Sequence, residues 1–371
     1  MRTSRNEIEG LQEIGSQNVV TVRALDLFCG AGGLTHGLEK AGIDVALGVD
    51  TDPHCAYPYT KNNNSKFLQK SVVDLSADEI RGAIEGAQYS LIAGCAPCQT
   101  FSTYQQGRYG PSDDRWNLLL EFGRIVTEVG PDLVTMENVP RLAEQEVFDT
   151  FTSVLRDEGY YVWYDVVNCA DYEVPQQRHR LVLLASKLGP IRMIEPTTPE
   201  GSRLTVRDAI GKLARIKAGE TTARDKMHQS SRLSDLNLKR IKASKPGGTW
   251  RDWPSELVAK CHQKPSGKTY PSVYARMVWD EPAPTMTTQY FGFGNGRFGH
   301  PEQDRAISLR EGAILQSFPK NYEFVNKNAP LHIKTVGRLI GNAVPVNLGK
   351  AIGSSILEHI GRKKKKKKRA V

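Results

Sequence analysis

A cysteine in the triplet Pro97-Cys98-Gln99 follows a short apolar run, residues 89–95, that is closed by Gly94 and Pro97. Such a run, bounded by turn formers, predicts a buried parallel strand. In open α/β sheets ligands bind outside the carboxyl ends of the strands, so the thiol of Cys98 falls where chemistry is done. A second apolar run, residues 133–136, leads into Glu137 and Asn138 and puts a carboxylate on the same rim. A soft nucleophile beside an acidic hydrogen-bonding group predicts covalent catalysis, with the thiol needing partial deprotonation to attack.

The elements that must position this pair follow from the pattern around it. Residues 21–28, 44–50, 67–75, 89–95 and 133–139 read as strands. Helical patterns separate them at 33–41, 52–62, from the capping box Ser76-Ala-Asp-Glu79 onward, 115–129 and 144–158. Residues 160–167 and 179–185 read as a closing antiparallel pair. Strands alternating with helices predict an α/β fold, a mostly parallel, doubly wound, Rossmann-like sheet covered on both faces. Beyond residue 186 Pro, Gly and Thr clusters break the rhythm, and it resumes at Ser308, with helices over 335–340 and 346–360. The organisation expected is an N-terminal extension (1–20), a catalytic and cofactor-binding domain (21–186), a smaller irregular domain (187–305), a segment completing the catalytic domain (306–361) and a basic tail (362–371). The tail is expected to be disordered.

Composition narrows the class. The 371 residues are 39% hydrophobic and 25% charged, as in globular proteins with large cores. No apolar run reaches the roughly 20 residues a membrane-spanning helix needs, and the first residues lack a signal-peptide core. Six cysteines in so long a chain read as reduced thiols of the cytoplasm rather than a disulfide framework. The net charge of +9 is uneven: residues 187–305 carry +9, residues 362–369 carry +8, and the rest carries −8. A basic middle segment beside an acidic sheet segment predicts contact with a polyanion, against the plainer alternative of a solvated surface.

A glycine turn, Asp26-Leu-Phe-Cys-Gly-Ala-Gly-Gly33, joins the first strand to the first helix. Its N–H groups can approach a polar ligand at the helix start. Asp50, ending the second strand, is placed to accept from ribose hydroxyls, and Asp74, ending the third, from an adenine amino group. The turn lacks the Gly-x-Gly-x-x-Gly spacing of dinucleotide sites, which favours S-adenosylmethionine.

Six motifs in order resemble the cytosine-5 DNA methyltransferases: the glycine turn, Gly94-Cys-Ala-Pro-Cys-Gln-Thr-Phe-Ser102, Glu137-Asn-Val139, Gln176-Gln-Arg-His-Arg180, Arg310-Glu311 with Leu315-Gln-Ser-Phe-Pro319, and Gly341-Asn-Ala-Val-Pro345. The resemblance covers roughly residues 22–360. It implies a sheet domain that binds S-adenosylmethionine and a target-recognition domain matching the basic segment. It further implies Cys98 as nucleophile toward carbon 6 of a flipped-out cytosine. Glu137 would hold N3 and the amino group, with the pair Arg178 and Arg180 beside the base and Arg180 the better candidate for its carbonyl oxygen. Cofactor contacts are implied for Asp26, Phe28, Gly30, Gly32, Asp50, Thr51, Asp74, Pro97 and Asn342. DNA contacts are implied for Gln99, Ser102, Thr285 and Thr287. A polar loop, residues 99–115, with Gly107 and Gly110 as hinges, would close over the base. The expected partner is double-stranded DNA, the expected state a monomer without obligatory protein partner, and the expected counterpart a restriction endonuclease acting on the same site.

Plainer readings compete at each position. Cys95 and Cys98 form a Cys-x-x-Cys pair, but no second pair follows and Cys169 and Cys261 are remote, so no metal is expected. Cys29, Cys55 and Cys169 read as small buried hydrophobes. Glu137 can cap a turn, Arg178 and Arg180 can be ion pairs at a sheet edge, and Asn342 can start a helix. Tyr290, Phe291 and Phe293 read as domain core rather than base-stacking groups. Two other functions share the motifs: a tRNA cytosine-5 methyltransferase, which the long basic segment disfavours, and a catalytically inert DNA-binding relative, which the intact motif residues disfavour.

Overall fold

The computed structural model describes residues 21–97, 114–269 and 271–369. Cys98, Gln99, Ser102 and most of the expected loop therefore lie outside the described residues. The chain forms β1 (Val22–Leu27), α1 (Gly33–Ala41), β2 (Asp44–Asp50), α2 (Ala56–Asn62), β3 (Lys66–Gln69), α3 (Ala77–Ile84) and β4 (Tyr89–Gly94). It continues with α4 (Asp114–Val129), β5 (Leu133–Asn138), α5 (Glu146–Asp157), β6 (Tyr161–Asn168) and β7 (His179–Ser186). Short helices α6 (Val206–Ile210), α7 (Asp235–Ala243) and α8 (Lys260–Gln263) lie in the irregular segment, and α9 (Leu309–Leu315), α10 (Ile333–Asn342) and α11 (Val346–Arg369) follow.

Local chemistry sets several boundaries. α1 starts after Gly32 and stops at Gly42, both left-handed, and the Gly42 N–H donates to Glu39 O and Leu38 O. The Ser76/Glu79 capping box opens α3 as expected. β3 is shorter than its apolar pattern suggested. It ends at Gln69, because the Ser71 side chain accepts from the Val73 N–H and folds residues Val72–Asp74 into a 3₁₀ turn.

The seven strands order as β3-β2-β1-β4-β5-β7-β6. β1 to β5 pair in parallel, while β7 runs antiparallel to both β5 and β6. The chain thus leaves α5 for the outer edge and returns inward, so that β7 lies beside β5 and brings residues 178–180 toward Glu137. On one sheet face Leu25, Ile92, Val134, Phe122 and Phe151 pack with α3 to α5; on the other, Leu38, Val45, Leu91, Leu133 and Ile352 pack with α1 and α11. A third core joins Met227, Met277 and Tyr290 of the irregular segment to Leu309, Phe318 and Ile340. A small fourth core holds Ile241, Trp250, Trp253 and Phe293. Tyr290 and Phe293 are buried, as core residues should be.

The lysine-rich tail departs from expectation: α11 continues through it to Arg369. Extending a nucleated helix adds a hydrogen bond per residue fixed, Lys is a good helix former, and cations suit a helix C-terminus.

Candidate active site

The glycine turn is held in an uncommon backbone. Phe28, Gly30 and Gly32 all have left-handed φ, at 57°, 54° and 87°. For Phe28 this costs on the order of 1–3 kcal/mol, which the surroundings must offset. They do so by hydrogen bonds: Cys29 N–H donates to Val49 O at 3.0 Å, and Gly30 N–H to Asp50 Oδ2 at 2.9 Å. Asp50 Oδ1 accepts from the Asp52 N–H at 2.9 Å. Burial raises the Asp50 carboxyl above its ordinary range, opposed by those N–H groups. A Cβ on Gly30 would meet nothing within 4 Å, so the turn faces open space. One on Gly33 would lie 2.3 Å from Val344 O, so only glycine lets the start of α1 touch the Gly341-Asn-Ala-Val-Pro345 segment.

Behind the turn lies a buried polar chain that the sequence did not announce. Asp26 is 1% exposed; its Oδ2 accepts from Thr35 Oγ1 at 2.6 Å, and its Oδ1 has no partner among the described residues. Burial lifts its carboxyl to about 7, with the Thr35 hydrogen bond opposing. Thr35 Oγ1 is 3.0 Å from the Tyr59 hydroxyl, which is 2.8 Å from Ser65 Oγ, and Tyr322 OH donates to Ala31 O at 2.6 Å. Thr51 is exposed beside Asp50, and Asp52 pairs with Arg338 of α10 at 2.6 Å. Asp74 is exposed beyond β3, and Asn342 is exposed at the end of α10. Pro97 is half-buried and is the last described residue before Cys98.

At the carboxyl ends of β4 and β5 the second group assembles. Glu137 is 3% exposed; Cys95 Sγ–H donates to its Oε2 at 3.0 Å, and Arg180 Nε lies 2.9 Å from its Oε1 as an ion pair. The Arg180 N–H is not directed at that oxygen, and Oε1 receives no hydrogen bond among the described residues. Asn138, equally buried, donates from Nδ2 to Ala96 O at 3.1 Å, so β5 holds the segment that leads to Cys98.

Arg178 sits differently from its pair-mate. Its buried guanidinium donates to Met286 O at 2.7 Å and to Gly341 O at 3.3 Å. Gln176, present in its motif but not singled out from the sequence as a site residue, donates to Gln316 Oε1 at 2.8 Å and accepts from Met286 N–H at 2.7 Å, while Gln316 donates to Ile340 O at 2.8 Å. Thr285 Oγ1 donates to Gln177 O at 2.7 Å, and Thr287 O lies against Gly341. One node thus joins Gln176-Gln-Arg178, Thr285-Met-Thr287, Leu315-Gln316 and Gly341-Asn342. The glutamines of Gln176-Gln-Arg-His-Arg180 and Leu315-Gln-Ser-Phe-Pro319 were the available signal, since polar groups that become buried must find partners.

A family model of the C-5 cytosine-specific DNA methylases matches residues 22–358. The chain belongs to this family. It is 53% identical over 337 residues to the Type II methylase M.HgiDII of Herpetosiphon aurantiacus, covering 90% of this chain and 94% of that protein. To the Type II methyltransferase M1.HphI of Haemophilus parahaemolyticus it is 34% identical over 340 residues, covering 90% and 86%. The fold is shared with the Entamoeba histolytica methyltransferase EhMeth, with a TM-score of 0.64, 16% identity and coverage of 92% and 99%. It is shared also with a variant of Spodoptera frugiperda DNMT2, with a TM-score of 0.62, 17% identity and coverage of 91% and 100%. As a member of this family the protein is a DNA (cytosine-5-)-methyltransferase that uses S-adenosylmethionine. The residues present fit that cofactor: the open face of Gly30, the half-buried carboxylate of Asp50 and Asp26, whose Oδ1 has no partner among the described residues, lie at one end of the sheet. No helix among the described residues is long and apolar enough to cross a membrane.

Proposed function

We propose that the protein is a sequence-specific modification methyltransferase of a Type II restriction-modification system, acting on duplex DNA through a covalent Cys98 adduct. The observation that carries this reading is the placement of Glu137. Its buried carboxylate has one oxygen that receives no hydrogen bond among the described residues, and its strand neighbour Asn138 grips the backbone leading to Cys98. The target cytosine leaves the stack, at a cost of a few kcal/mol. The Cys98 thiolate forms a bond to carbon 6. The displaced electron pair moves toward carbon 5, and N3 takes a proton that Glu137 shares. Arg180, ion-paired to Glu137, keeps a positive charge beside the pocket. S-adenosylmethionine would supply the electrophilic methyl group to the carbon 5 pair, the methyl–sulfur bond breaking with its electrons left on sulfur as S-adenosylhomocysteine. Loss of the carbon 5 proton then restores the double bond and expels Cys98 as thiolate, N3 gives its proton back to Glu137, and 5-methylcytosine is left.

Thr285 and Thr287 present the edge of the irregular segment for backbone phosphates, which position the protein without reading sequence. The 53% identity to a Type II methylase supports the restriction-modification setting. The test is duplex DNA carrying 5-fluorocytosine at the target, where the fluorine cannot leave as a proton does and the adduct persists. A denaturation-resistant protein–DNA band with the parent enzyme, absent in Cys98→Ser, is the expected result. An adduct that survives Cys98→Ala, or labelled methyl transfer to tRNA but not to duplex DNA, would overturn the proposal.

A further inference from the structure

Glu137 has two oxygens in unlike surroundings, and the difference traces to Cys95. Oε2 accepts a hydrogen bond from the Cys95 thiol at 3.0 Å, whereas Oε1 receives no hydrogen bond among the described residues and has the misdirected Arg180 guanidinium 2.9 Å away. Among the described residues Arg178, whose side chain is spent on two carbonyls, acts on the carboxylate through charge, whereas burial pushes the nearby Cys169 thiol up to about 12 and leaves it uncharged. Cys98 lies beyond the described residues.

We propose that Cys95 is a positioning residue for Glu137, holding Oε2 against β4 so that Oε1 is presented to the base, and setting the acidity at which Glu137 exchanges its proton. The proposal rests on the reading of Glu137 as the partner of N3. A carboxylate on a strand end turns about its last side-chain bonds, and one fixed oxygen fixes the other. A thiol suits the task because it is a weak donor. A hydroxyl or an N–H in its place stabilises the carboxylate anion more strongly and holds the proton off the group that must share it. A side chain without a donor leaves Oε2 unpaired as well and disfavours the anion.

The chemistry predicts an order. In Cys95→Ser the stronger donor lets Glu137 lose its proton at lower pH; in Cys95→Ala the missing donor makes it lose the proton at higher pH. Methyl transfer to duplex DNA is measured across pH with the parent enzyme and both variants at saturating S-adenosylmethionine. One limb of the rate profile is expected to move upward in pH in the order Ser, Cys, Ala, by about one pH unit from first to last, while the other limb stays. Cofactor affinity, measured on the same proteins, is expected to match the parent; thermal unfolding is expected to match in Cys95→Ser and to fall in Cys95→Ala, where Oε2 is left unpaired. Profiles that coincide in all three enzymes, or move in the reverse order, overturn the proposal. Should one variant not fold, the direction of the other's shift decides alone. The 5-fluorocytosine adduct separates the two readings: an adduct lost in Cys98→Ala together with unmoved limbs refutes the role of Cys95 only. An adduct that does not need Cys98 refutes the covalent mechanism on which that role rests.

Discussion

Replacing Arg178 separates a residue that reacts from one that holds the site together. Arg178 is 3% exposed, and its guanidinium spans two segments far apart in sequence, donating to Met286 O and Gly341 O. A lysine ammonium has one centre and reaches one of these carbonyls. The other then loses a charged donor, a loss of about 1–3 kcal/mol. Arg178→Gln removes the charge and leaves both carbonyls poorly served, so the two losses together come to about 2–6 kcal/mol. Against a total stability of about 5–15 kcal/mol this is large, and the conservative variant is the safer probe. Urea unfolding followed by tryptophan fluorescence is expected to show a lowered midpoint in Arg178→Lys and a further drop in Arg178→Gln. Methyl transfer by the folded Arg178→Lys enzyme is expected to lose mainly in KM for DNA, because the Thr285-Met-Thr287 segment loosens. An unchanged unfolding midpoint with transfer abolished would refute this reasoning and place Arg178 at the reacting base.

His300 gives the pH dependence a named origin. Burial lowers its pKa to about 4, and its Nδ1 accepts backbone N–H groups from Glu302 and Gln303. The unfolded chain binds its proton near 6.5, so the stability that His300 contributes is present above that pH and is lost as pH falls from 6.5 to about 4. His300→Gln should flatten the unfolding free energy in that window; an unaltered slope between pH 4 and 6.5 would assign the loss to other groups. Asp50→Ala should weaken S-adenosylmethionine binding by about 1–3 kcal/mol by calorimetry, since it would remove the proposed ribose acceptor and frees the Gly30 N–H; unchanged affinity would move the site. Deleting everything after Gly361 should lower DNA affinity at low salt and reduce the slope of affinity against salt, with the methylated site unchanged. Identical slopes would leave the lysine run without a role in binding.

Much of the fold and part of the site were legible because their causes are local. Capping boxes, a left-handed glycine after a helix and the two-residue and 3.6-residue periods act over a few residues, so α1 ends where Gly42 says and α3 starts at its Ser76 box. The strand ends carrying Asp26, Asp50 and Glu137 could be read for the same reason. Partners could not, because they come from afar: Cys95 meets Glu137 across 42 residues, Arg178 meets Met286 across 108 and Gly341 across 163, and Gln176 meets Gln316 across 140. The insertion of β7 between β5 and β6 is likewise a matter of sheet order, on which side-chain periodicity is silent. The lysine run shows the remaining gap. Its charge alone predicts a solvated coil, but an apolar helix packed on α1 runs into it, and continuing that helix costs less than starting one. The amino-acid sequence by itself determined which residue types could do methyl-transfer chemistry and which strand ends carry them. Only the tertiary structure decided which buried polar atom each of them faces, since that depends on which distant segments share one rim.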